Sequence, residues 1–138
     1  MDTIKLEIIT PKKIVKEVEA ESVTVPTATG EITVLAHHMS LFSLLVEGIV
    51  KIKEKTKEEF LAIGGGYLQT DGDTLRILVS RAYGQHEIDE ELIKKAVENA
   101  KKIIKTSTDE KEKSEALATL RRAVIDTKLL KKRRPKSI

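Results

Sequence analysis

Apolar and polar residues alternate along the first part of this chain and cluster at three- and four-residue spacing along the rest. Ile4-Lys5-Leu6-Glu7-Ile8 and Val23-Thr24-Val25 carry the period-2 mark of half-buried strands. Val46 to Lys53, Phe60 to Ile63 and Thr74 to Val79 continue it. Turn signals separate these runs: Thr10-Pro11, Thr29-Gly30-Glu31, Glu47-Gly48, Gly64-Gly65-Gly66 and Asp71-Gly72-Asp73. Many short strands with no helical pattern between them predict an antiparallel sandwich or barrel.

The pattern changes after Gln85. Leu92, Ile93, Ala96, Val97, Ala100, Ile103 and Ile104 form one apolar stripe on a helix. Asp89 is suited to cap it, since a carboxylate accepts from the unpaired N–H groups of a first turn. Ile88 and Ile93 stand at the positions of a hydrophobic staple. Glu90 and Glu91 sit at the positive end of the macrodipole, and Lys101, Lys102 and Lys105 at the negative end. Thr106 to Asp109 breaks the stripe, and Asp109 with Glu112 matches a capping box. Ala116, Leu117, Leu120, Ala123, Val124, Thr127 and Leu130 then make a second stripe. A short polar link between two one-sided helices predicts an antiparallel hairpin. The expected fold is therefore α+β: an N-terminal antiparallel β-sandwich over residues 1–84, then an α-helical hairpin over 85–138 with a basic tail from Lys131 to Lys136. The alanine-rich stripes bury little area, so the hairpin is expected to dock weakly and to be able to swing away.

Composition narrows the functions. The 138 residues suit one compact domain or a small domain with an appendage. Aromatics are 3% with no Trp, which disfavours base-stacking surfaces. With no Cys, neither disulfides nor thiolate metal sites are available, and an intracellular setting is the simpler expectation. Met1 to Thr10 lacks the continuous apolar core of a signal peptide. No apolar run reaches the roughly 20 residues of a membrane span, so membrane association is expected only through partners. The net charge of +3 divides unevenly: 10 Lys/Arg against 12 Asp/Glu up to Gly84, then 15 against 10. A basic second module suits an acidic partner.

Three small constellations invite chemistry and do not support it. Adjacent strand residues such as His37 and His38 point to opposite faces, and no acidic or Cys cluster completes a shell, so no metal is expected. A hydrolase built on either histidine lacks a nucleophile and its base. Gly64-Gly65-Gly66 lacks the Lys-Ser/Thr and helix start of a phosphate loop, and is expected to permit close strand approach.

Three stretches, in order, resemble the epsilon subunit of F-type ATP synthases. Ile8-Ile9-Thr10-Pro11 followed by Val15 and Val18 is similar to that family's opening strand, turn and second strand. Gly30-Glu31-Ile32-Thr33-Val34-Leu35-Ala36-His37-His38-Met39-Ser40-Leu41 resembles its Gly-Glu-Leu-Gly-Ile-Leu-Pro-Gly-His-x-Pro-Leu. Gly64-Gly65-Gly66-Tyr67-Leu68-Gln69-Thr70 resembles its Ser-Gly-Gly-Phe-Leu-Glu-Val, and Val79 to Ala82 closes the module. The resemblance spans essentially the whole chain. The loop from Ala36 to Ser40 departs from it, lacking two prolines and a glycine.

The resemblance implies a non-catalytic rotor component that couples ion translocation to ATP synthesis and restrains ATP hydrolysis through its C-terminal helices. It implies a gamma subunit, the membrane c-ring and the alpha/beta hexamer as partners, at the cytoplasmic face of a bacterial membrane. Glu31 and His38 would flank an exposed turn that meets the polar loops of the ring. Arg121, Arg122, Lys128, Lys131, Lys132, Arg133 and Arg134 would face an acidic segment of a beta subunit. Some members bind ATP between the hairpin helices through Ile/Leu-Asp-x-x-Arg-Ala and further arginines. Ile88 and Asp89 keep the start of that motif, but Leu92 and Ile93 replace its Arg-Ala, and Asp126 stands where another Arg is usual. No cofactor is expected. The alternative is a small basic nucleic-acid-binding or adaptor protein with the same sandwich and hairpin.

Overall fold

Ten strands precede two helices, in a computed structural model that describes residues 2–37 and 40–132. The strands are β1 (Ile4–Ile9), β2 (Ile14–Ala20), β3 (Ser22–Thr27), β4 (Gly30–Leu35), β5 (Leu41–Leu45), β6 (Gly48–Lys53), β7 (Glu58–Ile63), β8 (Gly66–Thr70), β9 (Thr74–Val79) and β10 (Ala82–Tyr83). A 3-10 turn at Gln85–Glu87 leads into α1 (Glu90–Thr106) and α2 (Glu110–Leu130). The strands form two five-stranded sheets, ordered β2-β1-β9-β8-β5 and β10-β7-β6-β3-β4. This is the sandwich that the alternating pattern predicts. One pairing is parallel: β1 runs beside β9 at the centre of the first sheet.

Alternation decides which face is buried. Ile4, Leu6 and Ile8 point inward from β1, Val23 and Val25 from β3, Val50 and Ile52 from β6, and Leu75 and Ile77 from β9, all fully buried. Each such side chain contributes on the order of 1.5–3 kcal/mol of transfer free energy. Lys16 of β2 reaches across the open edge to Glu59 of β7, tying one sheet to the other. The expected strand from Val46 begins only at Gly48. Val46 instead lies in the preceding turn, where its N–H donates to Pro26 O at 3.1 Å.

The glycine triplet acts as the spacing suggests. A Cβ on Gly66 would run into the Leu78 carbonyl oxygen and the Val79 Cα, and one on Gly64 would meet Ser80. The approach is fixed by bonds from Ser80 N to Gly65 O and from Gly64 N to Arg81 O, both 3.0 Å.

The outer face of the first sheet carries an apolar row across all five strands. The register pairs Leu44 with Tyr67, Tyr67 with Leu78, Leu78 with Ile9, and Ile9 with Ile14. Phe42 packs on Tyr67, ring centroids 5.2 Å apart. Leu44 is 68% exposed and Phe42 61%. The hairpin leaves this face open, because α2 lies instead over β6 and β7 of the second sheet. Ala62 of β7 faces away from the sandwich core, yet α2 leaves it only 1% exposed.

Candidate functional site

Two regions hold the residues singled out in the sequence: the seat of the hairpin on the sandwich, and the edge strand β4. At the seat, α1 packs on α2, and α2 carries the attachment to the sheet. Asp89 caps α1 as expected, its Oδ1 accepting from Glu91 N at 3.0 Å and Leu92 N at 3.3 Å. Asp109 caps α2 through Lys111 N at 2.9 Å. The capping box there is not formed. Glu112 accepts from Ser107 Oγ at 2.6 Å, while Asp109 N donates to that same hydroxyl at 3.1 Å.

The buried face of α2 is rotated from the expected stripe. Ala116 and Ala123 are buried as predicted, but Asp126 and Leu129 complete the line, and Leu117, Val124 and Thr127 are exposed. Asp126 can face inward because Tyr83 Oη donates to its Oδ1. Burial pushes the Tyr83 phenol up to about 12, with the Asp126 carboxylate adding to the shift. Gln85 Nε2 donates to Leu129 O at 2.6 Å and to Lys132 O at 2.8 Å. Lys132 Nζ lies 5.3 Å from the centre of the Phe60 ring, within cation–π range. Leu129 and Tyr83 were not singled out in the sequence, Gln85 only marked the change of pattern, and Asp126 was noted only as a departure from the nucleotide motif. A carboxylate three residues from Ala123 and three from Leu129, in phase with the buried line, was the available clue.

A cleft of about 720 Å³ opens beside this seat, between the β1–β2 turn, β10 and the two helices. Ile88 and Asp89 line it, with Leu92, Ile93, Arg122 and Asp126. The Asp89 carboxylate is engaged in capping, and Leu92 is 63% exposed. Arg121, Arg122 and Lys128 on the second helix, and Lys131 and Lys132 just after it, are all exposed. Arg133 and Arg134 lie outside the described residues, as does His38.

At the other region, Glu31 is exposed at the start of β4, just after Gly30, whose φ of 126° makes the turn. The Ala36–His37 turn lies at the far end of β4, about 20 Å along the strand. His37 adopts a φ of 62°. Its N–H donates to Gly72 O at 2.9 Å, and its Nε2 is 3.0 Å from Asp2 Oδ2. Below it, Asp71 Oδ1 accepts from Asp73 N and Thr74 N, both 2.9 Å, and the Thr74 and Asp73 amides hold its carboxyl below the usual carboxylate range.

Residues 3–85 match the family model described as ATP synthase, Delta/Epsilon chain, beta-sandwich domain. The ATP synthase epsilon chain of Moorella thermoacetica is 36% identical over 125 residues, covering 90% of this chain and 93% of its own length. That of Dehalococcoides mccartyi is 35% identical over 139 residues, covering 97% and 96%. A chain in the Euglena gracilis mitochondrial ATP synthase, solved with OSCP, F1 and c-ring, superposes with a TM-score of 0.77 at 27% identity. The superposition covers 87% of this chain and 76% of that one. A chain of the Tetrahymena thermophila mitochondrial central stalk and c-ring shares the fold, with a TM-score of 0.62 at 15% identity. These relatives do not favour the nucleic-acid-binding or adaptor alternative. Sandwich, hairpin and relatives agree: the chain belongs to the ATP synthase delta/epsilon family and is an epsilon subunit of an F-type enzyme.

Proposed function

We propose that this subunit is a non-catalytic part of the rotor whose sandwich transmits torque and whose hairpin restrains ATP hydrolysis. The gamma subunit takes the apolar row Leu44–Tyr67–Leu78–Ile9–Ile14. A row of this kind, open to solvent across a whole sheet, is the sort of surface that a partner covers. The edge strand β4 lies toward the c-ring, with Glu31 as a point of contact, and His38, outside the described residues, is a second. Membrane attachment is then peripheral and through these partners, at the cytoplasmic face.

The hairpin carries the regulatory half. The observation behind it is the narrow seat: in α2, only Ala116, Ala123, Asp126 and Leu129 are buried. An attachment of two alanines, one leucine and a few polar bonds is within reach of a competing partner. In the extended state Arg121, Arg122, Lys128, Lys131, Lys132, Arg133 and Arg134 face an acidic segment of a beta subunit of the alpha/beta hexamer. No nucleotide is needed for this switch.

Removing the chain after Gln85 in a reconstituted synthase tests the reading. ATP hydrolysis rises while ion-driven synthesis persists. Unchanged hydrolysis would remove the regulatory role. Separately, Leu44→Lys leaves the isolated chain folded and reduces its recovery with the gamma subunit, and full recovery would move the gamma contact elsewhere.

A further inference from the structure

The connector between sandwich and hairpin is the natural pivot for the swing, yet it also grips the far end of α2. Tyr83 Oη donates to Asp126, and the Gln85 amide donates to the carbonyls of Leu129 and Lys132. Gln85 adds a side-chain bond to the Leu129 carbonyl, which also accepts from Lys132 N at 3.0 Å, and a second to the Lys132 carbonyl just beyond the helix end. Asp126 is 8% exposed, and Leu129 is fully buried beside it. The two ends of the hairpin are thus tied together at one point on the sandwich.

We propose that Tyr83 and Gln85 form a clasp that sets how much of the hairpin is docked, so that opening starts at the C-terminal turn of α2. This rests on the reading of the hairpin as a movable regulator and locates its control. Lys132 makes the clasp sensitive to a partner. Its carbonyl accepts from Gln85 and its ammonium lies over Phe60. A carboxylate-bearing surface that draws Lys132 away therefore competes with the clasp directly. The acidic partner and the docked state exclude each other at that residue, without a separate trigger.

Hydrogen exchange on the full chain tests this with Tyr83→Phe and Gln85→Met, which keep size and remove donors. Each lost bond of this kind shifts an equilibrium by roughly five- to tenfold, so amides in the last turns of α2 exchange faster by about that factor. A helix end released from the sheet frays, so exchange in the last turns of α2 reports docking. Strands β6 and β9 keep their protection. Unchanged exchange in α2, or equal acceleration in the strands, overturns the clasp. The same variants in the reconstituted synthase lower ATP hydrolysis, since more hairpin is free to extend. Faster α2 exchange with unchanged hydrolysis keeps the clasp and removes the regulatory reading instead.

Discussion

Tyr83 gives the seat of the hairpin a measurable signature in alkali. Its neutral form is favoured where it is packed, so docking keeps full strength below the ordinary tyrosine value near 10. Docking then weakens as pH rises through about 12. The chain has two tyrosines, so an absorbance titration should show a late step that Tyr83→Phe abolishes. A late step that survives the substitution would contradict this. Gly66 makes a second prediction at this scale. Its missing Cβ would meet backbone at Leu78 and Val79, which cannot rotate away. Gly66→Ala should cost about 2–4 kcal/mol in urea unfolding, the range of severe overpacking. The triplet's role was legible because glycines without phosphate-loop companions leave close approach as the physical reason for them. Asp126 was not legible. Periodicity counts a carboxylate as solvent-facing, and only a phenol 43 residues away in sequence makes its burial tolerable.

Single elements differ in how much of themselves they reveal. The helix starts were readable because a cap is local: Asp89 and the amides it serves lie within three residues. Asp89→Ala should therefore weaken α1 by about 1 kcal/mol, seen as lower helicity in circular dichroism with sandwich unfolding unchanged. The inner face of α2 was misread by part of a turn, since Leu129 and Leu130 are equally apolar and the sheet beneath chooses between them. Leu129→Ala should destabilise docking by about 2–4 kcal/mol, releasing α2 before the sandwich melts. A single shared transition at the old midpoint would contradict that. Strand β5 gave no alternation because it is apolar on both faces: Leu45 fills the core, while Phe42 and Leu44 look outward. The sequence pattern therefore placed no strand there.

At the scale of the molecule, the buried core cluster draws every member from the strands, Ile4 through Val79, with none from the described residues of the hairpin. A fragment spanning residues 1–88 should thus fold cooperatively and melt within a few degrees of the full chain, as calorimetry can check. Loss of the cooperative transition would mean that α2 supports the sheet beneath it. The sequence showed two modules through their change of period and charge. It could not show where α2 rests, since docking depends on faces brought together only by tertiary pairing. The same holds for β1 beside β9, whose partnership spans most of the sandwich. That pairing has a consequence for biosynthesis. The first strand leaves the ribosome long before its central neighbour exists, so the nascent sheet waits with an apolar ribbon unmatched. Closure comes only when Thr74–Val79 emerges, just ahead of the helices. Translation speed through that stretch, and chaperone cover before it, should govern the yield of usable subunit more than the stability of the finished fold.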